Sequence, residues 1–431
     1  MCLLFEPTVL SGMTLRNRIV KSATMENMAT TEGLPTDDTF RFYEGLARGG
    51  AGLIITGYAY VNKVGQSAPR QSGAHTDAMI PEWRRITDTA HQRGAKIAMQ
   101  IAHGGRQTQA KALGGRQPVA PSAVPNFLYF VRPRPMTEDE IWETIRDFGD
   151  AAARAREAGF DAVQIHAAHG YLISGFLSPL TNRRHDEWGG DRERRFRFLA
   201  EVYRAVRQAV GPDFPVLCKL NVDDFVWVGL TPRDSFPAAR RLEELGVDAL
   251  EFSAGIFETA LAMSRGAAPT SVIGRNRRPL ARLYLRIGFG AQKLRFRFRE
   301  AYFLPYAKRI NPILNIPLIL VGGIRRPELA ERILEAGHAD FIAMARPLIS
   351  EPDLPNRWLA GGREPAQCPS CNLCLAEIEQ GNKLRCYLNG DDSQLHSQVA
   401  AEDRGVAHEL LQPVPPTSQR HGARPRSEQD K

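Results

Sequence analysis

The sequence predicts an α/β chain of the (β/α)8 TIM-barrel class, with long active-site loops and a C-terminal tail predicted to be disordered. Three observations carry this. Eight short apolar runs are each closed by Gly, Pro or polar residues. Amphipathic segments alternate with them, and glycines stand where those segments end. The runs occupy 19–24, 52–61, 96–103, 162–169, 215–222, 249–255, 317–324 and 341–349. They lack a clear polar face, as parallel strands covered on both sides do. Apolar residues recur three and four apart over 81–93, 140–158, 194–210, 233–245 and 326–336, which predicts helices. Gly94, Gly159, Gly211, Gly246 and Gly337 follow these helices as C-terminal caps, and Pro327 suits the first turn of the last. Eight such units make the barrel count. A doubly wound open sheet is the rival, but no Gly-x-Gly-x-x-Gly fingerprint follows a strand.

The chain divides into a barrel over 1–362, a Cys-rich segment over 363–390 and a tail over 391–431. The tail is rich in Pro, Ser, Gln, Arg and Glu and poor in apolar residues, a composition that predicts disorder. Two connections are too long for plain turns, 104–135 and 257–310, and long loops after barrel strands gather on the face where chemistry is done.

Of the 431 residues 43% are hydrophobic, enough for a large core. No apolar run spans a bilayer, and the N-terminus has no basic region ahead of an apolar stretch, so the expected compartment is the cytoplasm. The net charge of +8 is concentrated in 275–299 rather than in a stripe with interleaved aromatics, which argues against nucleic acid. The 283–303 stretch reads first as a solvated surface helix. A membrane surface or an anionic ligand is the alternative, and its apolar residues also suit docking, either in a homo-oligomer or onto an electron-transfer partner.

Chemistry is expected at the strand C-termini. The fourth strand ends in His166, His169 and Tyr171. Imidazole N–H groups polarise a carbonyl oxygen, and a phenol delivers a proton. A zinc site would need a third ligand that the spacing does not supply. The seventh and eighth strands end in Gly322-Gly323 and Ala345-Arg346, the place and residue types of a phosphate site. Gln100 on the third strand and Lys219 on the fifth point an amide and a cation inward, which suits a heteroaromatic ring that gains negative charge. A buried lysine needs an anion or hydrogen-bonding ligand nearby.

These residues resemble the old yellow enzyme family of FMN-dependent ene-reductases, near the branch of bacterial 2,4-dienoyl-CoA reductases. The landmarks are 15–20, 100–106, 166–171 and, above all, 176–190, and the resemblance runs over about 5–359. It implies FMN as cofactor, NAD(P)H as reductant and an electrophilic alkene as small-molecule substrate: an enone, an enal or an unsaturated thioester. Hydride would pass in a ping-pong cycle. It further implies that Ala23, Thr24, Met25, Gly57, Gln100, Lys219 and Ser253 contact the flavin. Gly322, Gly323, Ala345 and Arg346 would hold its phosphate. His166 and His169 would grip the substrate carbonyl, and Tyr171 would protonate the α-carbon. Many relatives carry Thr or Cys at the place of Met25 and Arg at that of Lys219. Both replacements alter the polar contacts available to a flavin.

Cys368, Cys371, Cys374 and Cys386 resemble the cluster motif of the family's iron–sulfur members. A 4Fe-4S cluster, a vestigial site and zinc all suit four clustered cysteines, with zinc more often held by two separated pairs. A flavin amine demethylase or dehydrogenase, or an electron-transfer subunit, is the alternative function, because either would give the cysteines a purpose. Only 45 residues follow Cys386, so this sequence shows no further domain to supply the cluster with electrons.

Overall fold

The computed structural model describes residues 2–108 and 110–389; the tail over 391–431 lies outside them. Eight parallel strands close into a barrel: β1 (Ile19–Lys21), β2 (Leu53–Ile55), β3 (Lys96–Ala102), β4 (Ala162–Ala167), β5 (Val216–Asn221), β6 (Ala249–Ser253), β7 (Leu318–Val321) and β8 (Phe341–Met344). They pair in sequence order, and β8 returns to β1 through Ala343↔Val20, which leaves no open edge. The eight expected runs are therefore the eight strands, although each strand is shorter than its run. The expected eighth strand ends at Met344. Residues 346–349, read as strand, belong to a short helix, Arg346–Ser350, led by Arg346 and Pro347, because proline fits a first helical turn and cannot donate to a strand ladder.

The helices wrap the barrel: α1 (Asp37–Arg48), α2 (Ile80–Gln92), α3 (Glu138–Glu157), α4 (Arg192–Val210), α5 (Pro232–Leu245), α6 (Pro279–Arg295) and α7 (Pro327–Glu335). Their ends follow local chemistry. Thr137 accepts from the Glu140 N–H, and Glu140 reaches back to the Thr137 N–H at 2.9 Å, a reciprocal cap for α3. Asp191 caps α4 by accepting from the Arg194 N–H at 2.9 Å. The five glycines expected as caps all adopt positive φ, between 61° and 95°. The sequence reading passed over α1, whose apolar face is short. It also passed over the hairpin of Thr8–Leu10 and Met13–Leu15.

The period of two along each strand sorts side chains into two cores. Outward residues such as Val163, Ile165, Cys218, Leu220, Leu250 and Phe252 pack under the helices. Inward ones near the strand N-termini, including Val20, Ala98, Ala162, Leu217, Ala249, Ile319 and Phe341, fill the barrel's lower half, and Leu10, Met13 and Leu15 of the hairpin pack against them. Two residues further along, the inward positions turn polar: Gln164 on β4, Lys219 on β5 and Glu251 on β6. That change of character divides packed core from functional floor.

Candidate active site

A cavity opens at the C-terminal ends of the strands. Ser22, Ala23, Thr24 and Met25 line it after β1, and Tyr58 after β2. His169 and Tyr171 line it after β4, Lys219 and Ser253 from β5 and β6. Gly322, Gly323, Ala345 and Arg346 lie at its far end. Most of the predicted site residues are thus brought together from six strand ends.

Its floor is a buried hydrogen-bonded chain. Gln100 donates to Gln164 at 2.6 Å, and Gln164 donates to Glu251 at 2.9 Å. Glu251 also accepts from Ser22 Oγ at 2.5 Å and pairs with Lys219 Nζ at 3.0 Å. Glu251 is fully buried and Lys219 nearly so. The anion that Lys219 requires is therefore within the protein, a partner the sequence reading missed. Glu251 was detectable as an acid at an inward position of an otherwise apolar strand.

Three of the residues predicted to contact flavin or substrate are not among those that line the cavity. Gln100 does not reach the cavity wall; its amide is committed to Gln164. Gly57 lies behind the wall, where its N–H donates to buried Glu26 at 3.0 Å and to Tyr43 Oη at 2.8 Å. A Cβ there would sit 2.3 Å from the Glu26 carboxylate, so a glycine is required by packing at this point. Burial pushes the Glu26 carboxyl up to about 7 and pulls neighbouring Lys21 down to about 7. His166 is buried, with its ring 5.1 Å from His169 and 4.9 Å from Tyr171.

His169 sits in the left-handed region at φ 64°, just before Gly170 at 76°. Its N–H donates to Asn221 Oδ1 at 3.3 Å, and its Nε2 lies 2.7 Å from Ser253 Oγ. A bulky residue in that backbone region stores strain, a feature that clusters at functional sites. Burial lowers the His169 imidazole to about 3, and nearby Lys219 adds to the effect. His166 is held well below the usual range for the same reasons, burial foremost. Both rings are neutral at physiological pH, so each can donate only one N–H. Burial also pushes the Tyr171 phenol well above its ordinary value and Tyr58 up to about 12. Tyr171 Oη donates to Tyr58 Oη at 2.7 Å, and Tyr58 Oη donates to Met25 Sδ at 3.1 Å. Tyr58, absent from the sequence reading, links the expected proton donor to the residue that departs from its relatives.

At the far end Gly322 and Gly323 adopt φ of 123° and 75°, and a Cβ on either would press on the Tyr302 ring at 2.8–2.9 Å. Arg325 lines the same end with its buried Nε lacking a hydrogen-bond partner. An orphaned guanidinium N–H beside Arg346 and a glycine bend fits a phosphate. The residues present thus fit FMN: Gly322, Gly323, Arg325 and Arg346 are of the kinds that would hold its phosphate, and Ala23, Thr24, Met25 and Lys219 line the cavity where its ring would have room.

The Cys-rich segment is part of this wall. Ser370, Asn372 and Glu379 line the cavity, and Asn372 Oδ1 accepts from Arg346 at 2.5 Å. Helix α8 (Leu373–Glu379) carries Cys374. All four thiols lie near enough to influence one another electrostatically, and Arg346 faces Cys368, Cys371 and Cys374. Burial pushes Cys371 up to about 11 and Cys374 up to about 12. No disulfide joins any cysteine. Among the described residues no three His, Cys, Asp or Glu side chains converge on one metal ion.

Comparison with known proteins agrees with the geometry. The sequence profile of the NADH:flavin oxidoreductase / NADH oxidase family matches residues 3–278. The chain is 38% identical over 390 residues to an NADH oxidase of Thermoanaerobacter brockii, covering 90% of this chain and 56% of that protein. It therefore spans little more than half the length of that relative. An NADPH dehydrogenase of Geobacillus is 35% identical over 354 residues, 82% of this chain and 92% of the relative. An old yellow enzyme homologue from Zymomonas mobilis superposes with a TM-score of 0.68 at 28% identity, covering 85% of this chain and 96% of that one. The barrel, the cavity and these relatives agree: the chain belongs to the NADH:flavin oxidoreductase / NADH oxidase family, the FMN-dependent NAD(P)H oxidoreductases of old yellow enzyme type.

Proposed function

We propose that the protein is an FMN-dependent NAD(P)H oxidoreductase that reduces activated C=C bonds of enones, enals or unsaturated thioesters in a ping-pong cycle. The carrying observation is that a neutral imidazole, His169, and a protonated phenol, Tyr171, line one cavity together with Ala23, Thr24 and Met25. FMN, when bound, supplies the ring nitrogen that takes hydride from the nicotinamide and returns it to the substrate. His169, positioned by Ser253 and the Asn221 contact, donates a hydrogen bond to the substrate carbonyl and polarises the conjugated bond. Tyr171 delivers its proton to the α-carbon while hydride reaches the β-carbon, so the bond gains two hydrogens. Tyr58, 2.7 Å away, relays a proton back to Tyr171. Nicotinamide and alkene would have to take turns in this cavity above the flavin, which is why the cycle is proposed as ping-pong.

The test is an anaerobic absorption experiment on the FMN-loaded protein. NADPH should bleach the flavin bands and cyclohexenone should restore them. In His169→Ala, bleaching should survive and restoration should slow by about a hundredfold. Equal loss of both steps, or of FMN itself, would remove His169 from the proposed role.

We infer further that the four cysteines hold a 4Fe-4S cluster rather than zinc. The support is the spacing of the four cysteines, three close together and one remote, in a segment that lies against the cavity. Iron analysis after anaerobic purification should return about four irons per chain and far fewer in Cys371→Ser. Zinc in their place would overturn the assignment.

A second reading has its own observation. Tyr58, Tyr171 and Phe257 make successive ring contacts at 4.9 and 5.7 Å, and Glu379 accepts from Tyr129 at the same cavity. Aromatic faces with a carboxyl suit an organic ammonium, hence an amine dehydrogenase. Bleaching by a methylated amine without reduced nicotinamide would favour it.

A further inference from the structure

One segment is not used by the site chemistry. From residue 259 to 299 there is no Asp or Glu, while Arg265, Arg275, Arg277, Arg278, Arg282, Arg286, Lys293, Arg295, Arg297 and Arg299 supply ten positive charges. That exceeds the net +8 of the whole chain, so the rest of the molecule is slightly acidic. The acids bordering the segment are engaged: Glu258 pairs with buried Arg106 at 2.6 Å, and Glu300 with Arg326 at 3.5 Å.

Helix α6 lies in this segment and has two apolar faces. Leu285 and Phe289 turn inward onto Leu261 and Ala262, and Phe289 lines the cavity. The opposite face carries Leu280, Leu283, Tyr284, Ile287 and Leu294, at the three-, four- and seven-residue spacing of a single stripe. Leu280 is 82% exposed, Ile287 65% and Leu294 73%, so nothing in the described chain covers the stripe. It extends sideways at both ends. The Tyr284 ring meets exposed Phe130 at 6.1 Å. Trp227, 98% exposed, borders the same surface hollow as Ala291 and Arg295.

We propose that this face docks on the surface of an anionic phospholipid bilayer and holds the mouth of the cavity against it. Aliphatic residues in a stripe, arginines along its edges and aromatic residues at its ends are the composition of a helix lying in the headgroup layer. Exposed tryptophan fits that depth. The charge decides against a second copy of the chain, since pairing two such faces would bring arginine against arginine. It decides for a partner whose surface is negative throughout. Because the inner side of α6 is a wall of the cavity, an apolar substrate dissolved in the bilayer would have a short way in.

The experiment is co-sedimentation of the full chain with vesicles of equal parts phosphatidylcholine and phosphatidylglycerol, against pure phosphatidylcholine. Binding should be at least about tenfold tighter to the anionic vesicles and should weaken as salt rises from about 0.05 to about 0.5 M. Trp227 emission should shift to the blue on binding, and the shift should vanish in Trp227→Phe. Two variants act on exposed side chains and leave the packed face intact. Leu283→Ser with Ile287→Ser removes apolar area, and Arg278→Glu with Arg286→Glu reverses charge. Each should reduce binding about tenfold or more while the FMN content and far-ultraviolet spectrum stay unchanged. Absence of binding at low salt would overturn the proposal, as would equal binding to neutral vesicles or indifference to both variants. A concentration-dependent dimer abolished by Ile287→Ser, without vesicle binding, would assign the stripe to a second copy instead. Equal competition by duplex DNA that leaves the apolar variant unaffected would reduce the face to a polyanion patch.

Discussion

Replacing Glu251 by Ala tests the floor of the cavity. The carboxylate is fully buried and accepts from Lys219 at 3.0 Å, Ser22 at 2.5 Å and Gln164 at 2.9 Å. Its removal leaves the Lys219 ammonium unpaired in the barrel interior, a loss of about 3–5 kcal/mol. Two uncharged donors are orphaned as well, at about 1–3 kcal/mol each before any rearrangement. Ser22 and Gln164 can turn towards each other, so the net expectation is about 4 kcal/mol. Urea unfolding of the FMN-free chain measures it, as a lower midpoint at unchanged slope. The double change Glu251→Ala with Lys219→Met removes the stranded charge and should recover about 2 kcal/mol or more, read as a coupling energy in the full cycle. A single variant within about 1 kcal/mol of the parent would refute the reasoning, as would a double variant no more stable than the single. In either case Lys219 would not be relying on Glu251.

Three further outcomes follow from the same geometry. His169 is lowered to about 3 by burial, so its neutral ring stabilises the fold above pH 6.5, and that stability is lost as pH falls through 6.5 towards 3. His169→Asn should flatten the stability-versus-pH curve by about 1.4 kcal/mol per unit in that window, while Glu26→Gln, a group raised to about 7, should shift it in the opposite sense between pH 4.5 and 7. Tyr171→Phe should lower alkene reduction by about a hundredfold and leave reduction of the flavin by NADPH nearly untouched; equal loss in both half-reactions would deny the phenol a proton-transfer role. Gly322→Ala sets a methyl 2.9 Å from the Tyr302 and Phe303 rings at φ 123°. It should destabilise by about 1–3 kcal/mol and weaken FMN retention at least about tenfold, checked by ultrafiltration of the loaded protein.

Strand count and order were legible because each strand is covered on both faces and the apolar run that holds it is closed by a glycine, a proline or a polar residue. Residues that line the cavity at strand C-termini were legible for the related reason that polar groups there break an apolar run: His169, Tyr171, Lys219 and Arg346 all interrupt one. Helix α1 was not, since only Thr39, Tyr43, Leu46 and Ala47 of its twelve residues are buried and their spacing is short. The end of β8 was misread because apolar residues resume at Leu348 and Ile349 after Arg346, and only Pro347 marks the change of element. Gln100 and Gly57 show a different gap. Residue type and position were right for a ligand contact, yet each answers to a buried neighbour, Gln164 or Glu26, that comes from another strand or loop and that no local pattern announces.

Met25 and Tyr58 show why that gap matters for chemistry. Read alone, a thioether at position 25 only removes the hydrogen bond that Thr or Cys would make. In the fold Met25 accepts from Tyr58, and Tyr58 accepts from Tyr171. The departure at position 25 therefore reaches the proton donor as well as the flavin face. A hydroxyl at position 25 would bind Tyr58 more strongly than sulfur does, because sulfur is the weaker acceptor. It would orient the Tyr58 proton away from Tyr171 more firmly and slow return of a proton to it. Met25→Thr should then slow alkene reduction in repeated turnover while a single turnover from the reduced enzyme, which draws only on the proton already on Tyr171, keeps its rate. If both slow together, position 25 acts through the flavin and the tyrosine pair is not the route.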